Sequence, residues 1–288
     1  MKQTNVRQFF AQFPTDEACL AHLFDVRFGQ GHECPKCKRE AKWYPLASEK
    51  AFSCQWCGHH IHPMVGTIFE KSRTPLQLWF YAIFLFTTTR NGVAAKEIQR
   101  QLGVTYKTAW RMAGLIREHM AGVDGDGTLS GVVEVDETYI GGYEKGAHGG
   151  KGKAIVMGML EKGGDVITEV IPDRKGWTLT EHVADHVKPG SEVHTDEHRG
   201  YNALETKYDH RKVNHSANEY VNAAGDTTNS IEGFFAQLKR SIQGTHISVS
   251  DKHLWKYAKE CEYRFNRRQT PEKMLSDLLS RFPELDAG

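Results

Sequence analysis

Apolar positions keep mostly helical spacing in the first 120 residues and strand spacing from residue 131, with Gly122–Gly127 (GVDGDG) as a linker between them. Phe9, Phe10, Phe13, Leu20, Leu23 and Phe24 form an apolar stripe, and Pro14-Thr15-Asp16-Glu17 supplies a helix start, so residues 1–30 read as a helical lead-in. A strongly apolar helix runs from Pro75 to Phe86. Ala94–Leu102 and Thr105–His119 are further helical segments broken at Gly103. Small Ala95, apolar Ile98 and Leu102, the turn glycine, then Val104 and Ala109 follow the pattern of a helix-turn-helix within residues 72–121. That arrangement sets Thr105, Lys107, Thr108 and Arg111 at the exposed start of the second helix, where a DNA major groove would be met. A plain helical hairpin has the same pattern.

Beyond the linker, Gly131–Ile140 is a strand with Glu134 and Asp136 on one face. Gly141–Lys153 is glycine-rich and reads as a hairpin loop, without the G-x-x-x-x-G-K-[ST] spacing of a nucleotide P-loop. Ala154–Leu160 and Val166–Ile171 are strands joined by a turn at residues 162–165. Thr178–Val187 is a helix, Glu192–Thr195 a strand delivering Asp196, residues 203–209 helical, and Lys212–Asn214 a last strand. Thr227–Arg240 is amphipathic: Ile231, Phe234, Phe235 and Leu238 fall on one side, and Asn229, Glu232, Gly233, Ala236, Lys239 and Arg240 on the other. Val249–Asn266 is a basic amphipathic helix with Trp255, Tyr257, Tyr263 and Phe265. Three antiparallel strands, helix, strand, helix, strand and helix make the order of an RNase H-like mixed-sheet α/β domain over residues 128–270, with 271–288 as a C-terminal tail.

A chain of 288 residues holds two or more compact units, and 39% hydrophobic with 25% charged residues is a globular, soluble composition. The longest apolar run, Leu78–Phe86, is too short to span a bilayer and the first 30 residues lack a signal-peptide pattern, so a cytoplasmic location is expected. The net charge of +1 points to no partner, but its distribution does. Residues 34–120 hold 13 Lys/Arg against 5 Asp/Glu, residues 128–200 hold 8 against 13, and residues 239–268 hold 8 against 3. Basic segments on either side of an acidic one suit a polyanion held around a cation-binding centre.

Cys34-Pro-Lys-Cys37 and Cys54-Gln-Trp-Cys57 stand 16 residues apart, a spacing that closes a tetrahedral thiolate shell around structural zinc. Residues 31–66 therefore read as a zinc ribbon, with Trp43, Tyr44 and Phe52 on short strands beside the metal. Disulfides are disfavoured in a cytosolic chain whose other cysteines are Cys19 and Cys261. His59, His60 and His62 follow a shell already filled by four thiolates, and are assigned to the surface or to DNA.

Asp136 and Asp196 each end a strand, and 35 residues separate Asp196 from Glu232, which has Lys239 seven residues further on along the same helical face. An acidic set of this kind suits phosphodiester cleavage. That reaction needs an activated nucleophile and a neutralised leaving oxygen, which paired Mg²⁺ ions on carboxylates provide. Asn229-x-x-Glu232 also reads as a helix capping box.

At these segments the chain resembles the zinc-ribbon DDE-class insertion-sequence transposases (ISXO-type, IS fifteen-ninety-five family). The matching segments are Glu134-Val-Asp136-Glu-Thr-Tyr-Ile-Gly-Gly142, Thr195-Asp196-Glu-His-Arg-Gly-Tyr201, Val213-Asn-His215, Thr228-Asn229-Ser-Ile-Glu232-Gly-Phe-Phe-Ala-Gln-Leu-Lys239-Arg240 and Tyr263-Arg-Phe-Asn266-Arg. The resemblance implies a retroviral-integrase-like catalytic domain, two divalent ions (Mg²⁺ or Mn²⁺), movement of a DNA element by end cleavage and joining to target DNA, and a homo-oligomer on double-stranded DNA in a prokaryotic nucleoid. In such an enzyme Asp136 bridges the metals, Asp196 and Glu232 bind one each, Asn229 is a lesser ligand or positioning group, and Lys239 and Arg240 hold phosphates. Other readings of the same residues are a DNA-binding regulator with an inert nuclease-like domain and a structure-specific nuclease without strand transfer.

Overall fold

The computed structural model describes residues 4–46, 48–125, 127–141, 152–213 and 227–283. The chain folds as two compact units, Met1–Val123 with Thr270–Gly288, and Asp124–Gln269.

In the first unit, α1 (Val6–Gln12) opens with a reciprocal capping box between Asn5 and Gln8, and α2 (Asp16–Arg27) starts at the Thr15 cap. Strands β1 (Trp43–Pro45), β2 (Phe52–Cys54) and β3 (His60–Ile61) form an antiparallel ribbon. α2 belongs to that ribbon's core: Phe24 stacks on Phe52 with ring centroids 4.1 Å apart, among Cys34, Ala41, Trp43, Cys54 and Ile61. The apolar α3 (Leu76–Thr88) is buried along most of its length. α4 (Ala95–Leu102) ends at Gly103 with φ +66°, and α5 (Tyr106–Asp124) begins three residues on.

Residues 271–288 do more than trail as a tail. Met274–Ser280 forms α9, whose Met274, Leu275, Leu278 and Leu279 are buried in the first unit. Two imidazoles hold it, His22 Nε2 at 2.9 Å from the Leu279 carbonyl and His119 Nε2 at 2.8 Å from that of Leu278. Seven residues give too short a periodic window to stand out, which is why the pattern of the sequence does not announce them.

The second unit is a five-stranded sheet in the order β6-β5-β4-β7-β8, made of β4 (Val132–Ile140), β5 (Ala154–Glu161), β6 (Val166–Ile171), β7 (Glu192–Thr195) and β8 (Asp209–Lys212). β4, β5 and β6 pair antiparallel, whereas β7 and β8 run parallel to β4. Two apolar layers flank the sheet. Val133, Val135, Met157 and Met159 pack with Leu179 and Val183 of α6 (Gly176–His186) and with Tyr201 and Leu204 of the 3₁₀ turn Arg199–Thr206. Ile140, Val156 and Leu160 pack on the other face against α7 (Asn229–Ser241) and α8 (Asp251–Asn266).

Several boundaries shift, and α5 runs on to Asp124, through the first residues of the expected Gly122–Gly127 linker. α6 starts at Gly176 rather than Thr178, the expected helix at 203–209 is the earlier 3₁₀ turn, and the last strand is Asp209–Lys212 rather than Lys212–Asn214. β8 is mostly exposed and wholly polar (Asp-His-Arg-Lys), so it carries no apolar alternation, and Val213 drew the expected strand too far along the chain. Asn214 and His215, and residues 142–151 of the glycine-rich loop, lie outside the described residues.

α8 is less simply basic than its composition suggests. Glu260 and Arg264 pair at 2.9 Å in its buried face, and Glu262 accepts the Thr168 backbone N–H at 2.7 Å and hydroxyl at 2.6 Å. Asn266 pairs with both backbone groups of Val166, at 2.8 and 3.0 Å, and Arg267 lies 3.9 Å over the Tyr263 ring. Glu262 and Asn266 thus secure α8 against edge strand β6.

Candidate functional site

The ribbon cysteines come from two turns of the same construction. Lys38 N–H donates to the Cys34 carbonyl at 2.9 Å and Gly58 N–H to that of Cys54 at 3.0 Å. Both turns end in a left-handed residue, Lys38 at φ +56° and Gly58 at φ +67°. Cys34 Sγ lies 3.6 Å from Cys57 Sγ, and Cys37 Sγ 3.9 Å from Cys54 Sγ. A tetrahedral shell with bonds of about 2.3 Å has edges of about 3.8 Å, so the four free thiols fit structural zinc. Burial raises the Cys34 thiol, but hydrogen bonds from the backbone N–H groups of Cys37 and Lys36 and from the Cys57 and Cys37 thiols together bring the group down to about 7. Burial and the neighbouring thiols push Cys37 up to about 12. Among the described residues, this is the one group of three or more His, Cys, Asp or Glu side chains whose ligand atoms all lie within 4.8 Å of one another.

On α5, Thr105 caps the helix through the Thr108 N–H (3.2 Å) and touches the Thr108 hydroxyl (3.0 Å), so both have local work. Lys107 and Arg111 are exposed. Tyr106 and Trp110, 46% and 45% exposed, stand beside them on the helix, and Lys96 lies 4.7 Å over the Tyr106 ring. Trp110 has no distinguishing signal in the sequence, because nothing in its spacing separates an exposed tryptophan from a buried one.

The second site is built on β4. Asp136 lies directly across from Gly158 of β5 and leaves the sheet on the α7 side. A Cβ at Gly158 would stand 2.7 Å from Ile231 Cδ1 and 2.9 Å from Phe235 Cζ, so the missing side chain is what lets α7 lie close to the sheet. Asp196, one residue past β7, is held by the His198 N–H at 2.9 Å. Burial pushes the Asp136 carboxyl up to about 7, and the charges of Glu137, Asp196 and Glu232 add to the rise. The three carboxylates expected together are therefore electrostatic neighbours, though their oxygens are not all within 4.8 Å of one another. Asn229 is the exposed first residue of α7, and its N–H donates to Thr227 Oγ1 at 3.0 Å. Asn229 is not the helix cap. Instead Glu134 accepts the N–H groups of Ser230 (2.8 Å) and Ile231 (3.0 Å). Lys239 lines a cleft of about 450 Å³ with Tyr139, Lys153 and Ser248, and Arg240 beside it is exposed.

Three functional neighbours escaped the sequence reading. Glu137 is buried on the opposite face from Asp136, where its Oε1 accepts from Arg174 Nε at 2.6 Å. The same guanidinium reaches Asp196 at 3.7 Å, so Arg174 links Glu137, inside β4, to Asp196, just past β7; β4 runs on to Ile140, so Asp136 does not end its strand as expected. Tyr201 is buried beside Glu137, and burial with the nearby Glu137 charge raises its hydroxyl well above the ordinary value. Glu137 and Tyr201 lie inside the motif segments, where nothing set them apart from the residues beside them. Arg174 sits in the loop after β6 and has no signal in spacing or composition.

Residues 128–266 match the ISXO2-like transposase domain, and residues 14–60 match the transposase zinc-ribbon domain, which takes in α2. An uncharacterized protein in transposable element ISH50 of Halobacterium salinarum is 26% identical, across 91% of this chain and 94% of its own length. An uncharacterized transposase-like protein of Haemophilus influenzae is 34% identical, across 36% of this chain and 83% of its own.

Proposed function

Because the chain belongs to the zinc-ribbon, ISXO2-like insertion-sequence transposases, we propose that it binds the ends of a DNA element, cleaves there, and joins the freed 3′-hydroxyl to target DNA. The observation that supports this reading is that Asp196 and Glu232 lie near enough to half-buried Asp136 for their charges to raise its carboxyl, beyond what its burial does. Crowded carboxylates without a matching cation are costly, and such a donor set suits hard divalent ions. Mg²⁺ or Mn²⁺ bound there supplies activation of the attacking oxygen and charge neutralisation at the leaving one.

The side chains account for the rest. Asp136, Asp196 and Glu232 would hold the ions, and Asn229 would add a neutral oxygen or position the helix end. Arg174 holds Asp196 in place through its second arm on Glu137. In the first step a water oxygen attacks the phosphorus, the bond to the 3′ oxygen breaks, and that oxygen leaves as the 3′-hydroxyl. In the second the 3′-hydroxyl oxygen attacks a target phosphate and displaces another 3′ oxygen. Lys239 and Arg240 at the far end of α7 hold substrate phosphates. In the first unit, α4 and α5 act as a helix-turn-helix, with Lys107 and Arg111 on phosphates or base edges and Thr105 and Thr108 fixing the helix start. The RNase H-like reading of the second unit rests on its strand order and on which strands run parallel. Joining two ends requires a homo-oligomer assembled on DNA.

The test is a gel assay of the full chain with Mg²⁺, a labelled element-end duplex and a target plasmid. Nicked ends and joined products are expected, and both should disappear with EDTA. Lys107→Ala/Arg111→Ala should weaken end binding and reduce its salt dependence. Nicking without joined product would assign a nuclease instead, and end-specific binding without any cleavage would assign a regulator.

A further inference from the structure

Glu134 precedes Asp136 by two residues on β4, so both side chains leave the sheet on the face covered by α7. An acidic pair so placed invites assignment of both to metal, but the contacts of Glu134 give it other work. It is wholly buried, and the start of α7 uses both of its oxygens. Oε2 accepts the backbone N–H groups of Ser230 at 2.8 Å and Ile231 at 3.0 Å, while Oε1 accepts the Ser230 hydroxyl at 3.0 Å.

A helix leaves its first N–H groups without partners inside the helix, and its N-terminal end favours negative charge. A neighbouring side chain usually answers both needs. Here the N-cap residue, Thr228, makes no such bond, and the cap comes from 96 residues earlier in the chain. The strand partner of Glu134 works at the same place: His194 of β7, paired with Glu134 in the ladder, has Nδ1 3.3 Å from the Thr227 backbone. Gly158 completes the seat by admitting Ile231 and Phe235 against β5.

We propose that Glu134 is a positioning residue, a long-range cap that fixes the first turn of α7 and so sets Glu232 and Asn229 against Asp136. This rests on the metal-centre reading of the three carboxylates. Two alternating acids on one strand then have separate tasks: Asp136 meets the ion, and Glu134 orients the helix that brings another ligand.

The test uses the full chain with Glu134→Gln, Glu134→Ala and Ser230→Ala. It reads amide hydrogen exchange of the first turn of α7 in metal-free protein, and Mn²⁺ affinity by calorimetry. Glutamine keeps a carbonyl oxygen for the two backbone donors and turns its amide toward the Ser230 hydroxyl oxygen, so both readouts should stay near wild type. Glu134→Ala should speed exchange and weaken Mn²⁺ binding, each by about tenfold or more, as for loss of a cap and of a ligand-orienting partner. Ser230→Ala removes one bond of the three and should fall between, which keeps the test decisive if Glu134→Ala does not fold. Loss of Mn²⁺ binding in Glu134→Gln with exchange unchanged would overturn the proposal and make Glu134 a ligand. Unchanged exchange in both Glu134→Ala and Ser230→Ala would overturn it as well. Wild-type protein that binds no Mn²⁺ would count against the metal-centre reading, while the exchange measurements would still decide the cap.

Discussion

At the scale of single residues, chemistry was more legible than support. The four cysteines, Asp136, Asp196 and Glu232 are distinctive residue types at distinctive spacings, so they can be found without a fold. Glu134, Arg174 and Gly158 matter through what lies beside them in space, and no spacing along the chain encodes that. The ribbon turns show how closely local geometry constrains a residue. Gly58 takes the left-handed conformation without cost, whereas Lys38 takes it at φ +56° with a full side chain. Lys38→Gly is therefore expected to leave zinc stoichiometry at one per chain and to stabilise the first unit by up to about 1 kcal/mol, net of glycine's greater freedom when unfolded. Denaturant unfolding of zinc-loaded protein checks this; a loss of stability of that size would mean the Lys38 side chain contributes more than its backbone costs.

At the scale of elements, long periodic segments were read well and short or polar ones were not. α7 and α8 carry a clear helical apolar period, and α3 and the strands β4 to β6 are rich in apolar residues; β7 (Glu-Val-His-Thr) has only Val193 and was found because it leads into Asp196. α9 is seven residues long and β8 has no apolar residue, and both form because of what they pack or pair against. The capping box expected at Asn229-x-x-Glu232 fails because the helix starts one residue earlier, at Thr228: the Glu232 N–H goes to the Thr228 carbonyl at 3.1 Å and the Asn229 N–H to Thr227 Oγ1 at 3.0 Å. α7 matters most, because it carries Glu232 and Lys239 together. Gly158→Ala should push it off the sheet, costing about 1–3 kcal/mol as overpacking does. Its Mg²⁺-dependent cleavage should fall further than the stability loss explains, while Lys107 and Arg111 still bind end DNA. Cleavage at the wild-type rate in folded Gly158→Ala would show that the close seat of α7 is not needed.

At the scale of the whole molecule, the two units answer pH in opposite directions. His119 in the first unit is held below its ordinary 6.5 by burial. The unfolded chain takes up that proton first, so this contribution is present above pH 6.5 and is lost as pH falls below it. In the second unit, burial raises Asp136 and Glu262 to about 7, so the folded form keeps protons that the unfolded chain has released. Those two groups add stability as pH falls from 7 toward the ordinary carboxylate range; His210, lowered by burial, opposes them. Taking metal-free carboxylates and zinc-loaded thiols from pH 7 to pH 5, hydrogen exchange corrected for its intrinsic pH dependence should show α9 less protected and α8 more protected. Parallel changes in the two helices would contradict these assignments. The division into two units was visible in the change of apolar period near residue 125. The return of the C-terminal helix to the first unit was not, because contacts across more than 150 residues leave no local pattern.

The central claim is that Asp136, Asp196 and Glu232 form one metal-dependent strand-cleaving centre. The most direct measurement is the Mg²⁺-dependent cleavage rate of an element-end duplex by wild-type protein, Asp136→Asn, Glu232→Gln and Asn229→Ala, with end-DNA binding measured on each. Asp136→Asn and Glu232→Gln are expected to bind DNA as wild type does and to cleave several orders of magnitude more slowly, while Asn229→Ala keeps substantial activity. Near-normal cleavage by Glu232→Gln beside an inactive Asn229→Ala would contradict that claim, and would move the third ligand position to Asn229.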